Sequence, residues 1–151
     1  MQPTGIIWDI DGVLADSEIR KQFEEEAANG DFTWFESKIP HFRSHRWAVE
    51  MINALAKSGH TILFVTARNE TYRAATVSWL NKTIETRSYK LMMREGDGPD
   101  STIKRDIYER KIKDKYKVLA AFDDNKSCIT MWRSLGITAL HNVGEEERSK
   151  E

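Results

Sequence analysis

Of the 151 residues only one, Cys128, is a cysteine. No internal disulfide can form, and a reducing compartment is the expected setting. No stretch approaches the ~20 consecutive apolar residues of a membrane span. The early apolar run "GIIW" is too short for a secretory signal, and no basic region precedes it. These absences lead to the expectation of a cytoplasmic protein with no membrane contact. An excess of one charge is missing too. Lys and Arg number 23 and Asp and Glu 24, a net charge of -1. There is then no global electrostatic case for a nucleic-acid partner, and any such contact must be a local patch. Several motifs are also absent. "GDG" at 96–98 is no strand-to-helix GxGxxG fingerprint, and no GxxxxGK[ST] loop occurs. A C-x5-R phosphatase loop built on Cys128 would need arginine where Ser134 stands, and an apolar helix face makes core packing the expected role of that thiol. His41 and His45 have a zinc-like spacing, but no glutamate follows His41 and no third ligand is evident.

What is present reads as one ordinary globular domain, 40% apolar and 31% charged. The expected domain covers 1–143, with a charged, flexible tail over 144–151. Strand-like and helix-like runs alternate. Strands are expected at Gly5–Trp8, "HTILFVT", "YKLMM", "KVLAAFDD" and "ITALHN". Helices are expected over 17–29 (N-capped by Asp16 or Ser17 and stopped by Gly30), 44–58, 70–84, 100–116 and 126–136. Trp47, Met51 and Leu55 recur every four residues in the second of these, and Ile103, Ile107 and Tyr108 share a face in the fourth. Continuously apolar strands alternating with helices predict an α/β fold, a doubly wound, mainly parallel five-stranded sheet with helices on both faces. In such sheets ligands bind beyond the carboxyl ends of the strands. The polar residues gather there: Asp9 and Asp11 after the first strand, Thr66 and Arg68 after "HTILFV", Arg94 and Asp97 after "YKLMM", and Asp123 and Asp124 at the end of "KVLAAF".

Asp9 and Asp11, two apart on extended backbone, face the same side roughly 6–7 Å apart. If the strands are neighbours, Asp123 and Asp124 join them, and three or four carboxylates that close repel. A hard cation such as Mg²⁺ relieves the repulsion through oxygen ligands. One carboxylate could then act as a nucleophile and a second as an acid. Lys104 and Thr66 would supply positive charge and a hydrogen-bond donor to phosphoryl oxygens. Each feature also has a plain structural reading: a solvated turn for the DxD, a helix cap for Asp123–Asp124, a strand end for Thr66, a solvated helix lysine for Lys104. Their shared position beyond the strand ends is what favours chemistry.

"DIDGVLAD", "ILFVTAR", Lys104 and "AFDDN" resemble, in order, the four motifs of the haloacid dehalogenase superfamily of phosphohydrolases. The resemblance spans residues 5 to about 142. It implies an aspartyl-phosphate mechanism. Asp9 would be the nucleophile and Asp11 the acid and then the base. Mg²⁺ would be held by Asp9, the Asp11 backbone carbonyl and Asp124, with Asp123 acting mostly through water. Thr66 and Lys104 would hold the phosphoryl group. The segment between the first two motifs is short, so no large cap domain is expected, and an open site could admit the end of a large substrate.

A narrower resemblance lies in "TARNETYRAATVSWL", "LMMREGDGPDSTIKRDIY" and "DDNKSCITMWRSLGI", which look like the 3′-phosphatase domain of bacteriophage-type polynucleotide kinase. It implies removal of 3′-phosphates from nucleic-acid ends, with Arg68, Arg94 and Asp97 at the substrate and Asp100 also in the pattern. One position departs: that family carries an arginine shortly after the Gly-Asp, where this sequence has Gly98–Pro99. The missing GxxxxGK[ST] loop confines the resemblance to the phosphatase half. The alternatives are a nucleotidase for free 5′- or 3′-mononucleotides and a catalytically idle binding protein on the same fold. The oligomeric state, monomer or homo-oligomer, is left open. The segment "FTWFESKIPHFRSHRW" mixes aromatic and basic residues, which suits either single-strand stacking or packing on the core or a dimer contact.

Overall fold

In the computed structural model, residues 1–16 and 33–143 are described. The helix expected over 17–29, Phe32, the side chain of Trp34 and the tail beyond 143 lie outside them. The first strand, β1 (Thr4–Trp8), is followed by a short helix α1 (Thr33–Lys38), a 3₁₀ turn (Ile39–His41) and α2 (Arg46–Lys57). Then come β2 (Thr61–Asn69), a 3₁₀ turn (Glu70–Tyr72), α3 (Arg73–Thr83) and β3 (Lys90–Arg94). The described residues continue with α4 (Asp100–Ile107), a π-helical turn (Tyr108–Ile112), β4 (Lys117–Asp123), α5 (Lys126–Ser134) and β5 (Ala139–His141).

All five strands are parallel, in the order β3-β2-β1-β4-β5. The expected doubly wound α/β sheet is thus present. β1 is central, paired with β2 on one side and β4 on the other. The winding reverses there, and a reversal opens a crevice beyond the strand ends. Trp8 is in register with both Phe64 and Phe122, so Asp9, Thr66 and Asp123 follow at nearly the same level. Alternation along the strands divides the core. Ile6, Trp8 and Phe64 pack with α2 and α3, while Ile7, Leu63 and Val65 pack with α4 and α5. The Trp8 and Phe122 rings stack at 4.0 Å between centroids.

Several elements differ from their sequence expectation for local reasons. The short helix α1 and the turn after it were not anticipated, because six residues carry too little periodicity. β2 runs on to Asn69, past the end of its ladder with β3 at Val65, before pairing again at Arg94. The helix expected from 70 begins with a 3₁₀ turn, where the Asn69 side chain accepts a hydrogen bond from the Thr71 N–H. The helix expected through 116 widens to π geometry at Tyr108, whose ring meets Trp132 edge-on. In α2 the four-residue repeat is not the buried face. Trp47 and Met51 are 38% and 41% exposed, while Ala48 and Ile52 are fully buried. Trp47 still reaches Trp8 and Phe122 with its ring.

This orientation of α2 is testable by urea denaturation. Ile52→Ala should cost about 2–5 kcal/mol of unfolding free energy. Met51→Ala should cost under about 0.5 kcal/mol. Equal costs would mean that α2 is rotated.

Candidate active site

Asp9 follows β1 directly, its backbone N–H donating to the Phe122 carbonyl of β4 at 3.0 Å. Its Oδ1 accepts from the Ile10 N–H at 2.9 Å and lies 3.2 Å from Lys104 Nζ. The chain must then turn within a few residues. Gly12 does so at φ 88°, and Ala15 N–H closes the loop onto the Ile10 carbonyl. A Cβ at Gly12 would lie 2.0 Å from Asp124 Oδ2, so the glycine also makes room for the fourth motif's carboxylate. The loop is held from outside. Asp16 and His45 donate backbone N–H bonds to Arg43 and Leu14, and Asn142 Nδ2 donates to the Gly12 carbonyl at 2.6 Å. His45 Nδ1 lies 2.7 Å from the Val13 carbonyl, which gives that ring a structural partner.

Lys104, only 2% exposed, reaches in from α4 and sits between two carboxylates. Its Nζ is 2.8 Å from Asp123 Oδ2 and 3.2 Å from Asp9 Oδ1. Burial alone would lower the lysine's pKa; Asp9 and Asp123 outweigh it, and the ammonium is held charged well above the ordinary lysine range. Asp9 is shifted upward instead. Its burial is the largest cause; Lys104 opposes the rise, and the carboxylates of Asp123, Asp124 and Asp11 add to it. One cation is too little for this many carboxylates. Oxygens of Asp9, Asp123 and Asp124 lie within 4.8 Å of one another, a hard-oxygen cluster that fits a divalent cation. Asp123 is also fixed by Trp132 Nε1 at 3.4 Å and by the Asn125 N–H at 3.1 Å.

Thr66, 1% exposed in β2 just past its continuous ladder with β3, accepts a hydrogen bond from the Arg68 N–H at 3.1 Å. Its own hydroxyl proton remains available for a phosphoryl oxygen. Arg68, expected at the substrate, lines the cavity and makes three side-chain hydrogen bonds within the protein. Nε and one terminal nitrogen bind both oxygens of Asp11 at 2.8 Å each, and the other binds Thr76 Oγ1 at 3.1 Å. The guanidinium lies 5.3 Å from the Phe35 ring centroid and 5.1 Å from that of Phe42. Such a clamp orients the acid/base candidate through both of its oxygens. Arg94 is likewise engaged, with Ala67 O (2.9 Å), Gly98 O (2.8 Å) and Asp100 Oδ1 (2.5 Å). It ties the 95–99 loop and the start of α4 to the end of β2.

A cavity of about 540 Å³ joins these groups. Asp9, Asp11, Thr66, Arg68, Arg94, Asp97, Lys104 and Asp124 all line it, and Asp123 stands behind, buried against Lys104. Sequence reasoning missed the aromatic contribution. Phe35 and Phe42 were singled out only as members of an aromatic segment, and Tyr72 sat inside a stretch read as plain helix. No local signal marked Tyr72; its role follows from the 3₁₀ turn that ends β2 beside the cavity.

Residues 3–145 match the family model described as the polynucleotide kinase PNKP phosphatase domain. The chain belongs to that family. As a haloacid dehalogenase-type phosphatase domain it is a phosphoric monoester hydrolase by descent. It is 27% identical over 144 residues to a putative bifunctional polynucleotide kinase/RNA ligase of Autographa californica nuclear polyhedrosis virus, covering 93% of this domain and 19% of that protein. It also superimposes on a chain of the Pnkp1/Rnl/Hen1 RNA repair complex with a TM-score of 0.74 at 25% identity, covering 95% of this domain and 44% of that chain. The fold recurs in a haloacid dehalogenase-like hydrolase of Streptococcus pneumoniae, with a TM-score of 0.67 at 14% identity over 98% of this domain and 90% of that one. The domain thus spans less than half the length of its polynucleotide kinase-type relatives.

Two measurements probe the buried charges. Lys104→Met leaves Asp9 and Asp123 without their shared cation and should lower metal-free stability by about 3–5 kcal/mol in urea titrations. An unchanged midpoint would show that the lysine is not the charge on which this end of the sheet depends. Burial pushes the Cys128 thiol up to about 12, overcoming the pull of Lys104. An acid with a raised folded pKa stays protonated as pH rises past its unfolded value. Maleimide at pH 8–9 should therefore leave native Cys128 intact and label it fully in denaturant; rapid native labelling would contradict the burial.

Proposed function

We propose that this phosphatase domain removes 3′-phosphates from nucleic-acid ends, with Mg²⁺ as cofactor and an aspartyl-phosphate intermediate. The observation that carries the reading is the convergence of Asp9, Asp11, Thr66, Lys104 and Asp124 on one cavity, in a chain whose family is that of polynucleotide kinase phosphatase domains. The likeness to a chain of the Pnkp1/Rnl/Hen1 RNA repair complex supports a nucleic-acid substrate.

Asp9, the Asp11 backbone carbonyl and Asp124 would hold the cation, with Asp123 reaching it mostly through water because its side chain already serves Lys104. When bound, Mg²⁺ supplies positive charge that binds the phosphate and keeps the nucleophile ionised. One Asp9 oxygen is fixed by Ile10 and Lys104, and the other attacks phosphorus. The ester P–O bond breaks and Asp11, having first taken up a proton from solvent, gives it to the leaving sugar oxygen. Asp11 then takes a proton from water as that water attacks the aspartyl-phosphate. The P–O bond to Asp9 breaks, inorganic phosphate leaves and the carboxylate is regenerated. Thr66 and Lys104 hold the equatorial oxygens through both halves. Arg68 acts on Asp11 and Arg94 on the cavity wall, so both are positioning residues in this scheme. Asp97, exposed on the 95–99 loop, is the member of the expected substrate-binding set that lines the cavity without a comparable clamp.

A volume of 540 Å³ also accommodates a whole nucleotide, which keeps the nucleotidase reading in view. Phosphate release with Mg²⁺ from 3′- and 5′-phosphorylated oligonucleotides and from free 3′- and 5′-mononucleotides separates the two. Preference for the 3′-phosphorylated oligonucleotide is expected. Preference for a free nucleotide overturns the end-repair reading. Asp9→Asn should reduce turnover by at least about 10³-fold with the fold intact by circular dichroism; an active variant removes Asp9 as nucleophile.

A further inference from the structure

The phosphoryl site fills only part of the cavity. Beyond Thr66 and Arg68 the wall is formed by Asn69, Thr71 and Tyr72, with Phe35 behind. The Phe35 and Tyr72 rings meet edge-on at 5.1 Å between centroids and 73° between planes. Phe35 is 3% exposed and committed to the core and to Arg68. Tyr72 is half-buried, so among the described lining residues its ring is the less buried of the two aromatic surfaces. Its placement is rigid. The Asn69 side chain caps the turn, and Arg73 is paired with Glu70 and bonded to the Leu91 carbonyl at 2.9 Å.

The charges of the cavity narrow what can rest there. Among the described residues, five carboxylates line it against three cations. Each cation already holds a carboxylate: Arg68 holds Asp11, Arg94 holds Asp100, and Lys104 holds Asp9 and Asp123. Among the described lining residues, every cation is paired with a carboxylate, and the carboxylates outnumber the cations. A polyanionic backbone would meet net negative charge, whereas a neutral, flat ring would meet an aromatic wall.

We propose that Tyr72 is the stacking platform for the base of the phosphorylated terminal nucleotide, so that the cavity holds one phosphate and one nucleoside and the rest of the strand leaves it. The inference rests on the 3′-phosphatase reading and assigns the residue that recognises the nucleoside. Base–aromatic stacking is sequence-tolerant, since every base has a π-face. Discrimination then lies between a terminus with a base and one without, rather than among the four bases.

The test compares two 3′-phosphorylated oligonucleotides that differ only in whether the terminal unit carries a base or is a tetrahydrofuran abasic analogue. The unsubstituted protein with Mg²⁺ should favour the base-bearing end in kcat/KM by roughly 5- to 100-fold, the range of one stack, mainly through KM. Tyr72→Leu, which keeps apolar volume against the core, should bring the ratio close to one. Tyr72→Phe should preserve it. A ratio near one in the unsubstituted protein, or one that survives in Tyr72→Leu, overturns the base seat while leaving 3′-phosphatase activity standing. Preference of the unsubstituted protein for 5′-phosphorylated over 3′-phosphorylated ends overturns the 3′ reading and this proposal together.

Discussion

One buried ammonium stabilises the functional end of this sheet. Lys104 Nζ lies between Asp9 and Asp123, on adjacent strands β1 and β4, in surroundings where none of the three side chains exceeds 7% exposure. Removed from water, two carboxylates on neighbouring strand ends would push those ends apart. The lysine lets them stay, and Trp132 and the Asn125 N–H fix the Asp123 carboxylate. The compensation is incomplete, since Asp9 is still shifted upward by burial and by its acidic neighbours. That residual negative charge is what a divalent cation and, through it, a phosphate can answer. Stability and chemistry at this end of the molecule thus rest on the same charges.

A second linkage joins chemistry to the segment between β1 and β2. Arg68 leaves the end of β2, packs against the rings of Phe35 and Phe42 and grips both oxygens of Asp11. The two aromatic rings come from the region of α1 and the turn after it, so that region bears on where the Asp11 carboxylate points. Trp79 Nε1 donates to the Phe42 carbonyl at 3.0 Å and extends the same brace to α3. Fixing Asp11 in this way limits the reorientation needed when a phosphate arrives.

Much of this was legible in the sequence, for identifiable reasons. The apolar runs "HTILFVT" and "KVLAAFDD" suit strands of a parallel sheet, and strand ends are where such folds collect polar residues. Asp9, Asp11, Thr66, Lys104 and Asp124 could be named on position alone. What could not be read was which donors those residues use on one another. A sequence shows that Arg68 and Arg94 are near the site, but not that one is engaged with Asp11 and the other with Ala67, Gly98 and Asp100. The inward face of α2 was equally hidden. Both Trp47–Met51 and Ala48–Ile52 repeat every four, and only the sheet surface beneath decides between them.

The hydrogen bond from Asn142 to the Gly12 carbonyl closes the loop that carries Asp11, across 130 residues of chain. His141 adds to it, its ring nitrogen 3.0 Å from the Asp124 carbonyl. Asp9 and Asp11 are synthesised well before β5, the strand beside Asn142. A ribosome-bound intermediate with β1 to β4 in place would hold the reactive carboxylates in a loop without its final brace. Assembly of the working site is therefore timed to the completion of the sheet.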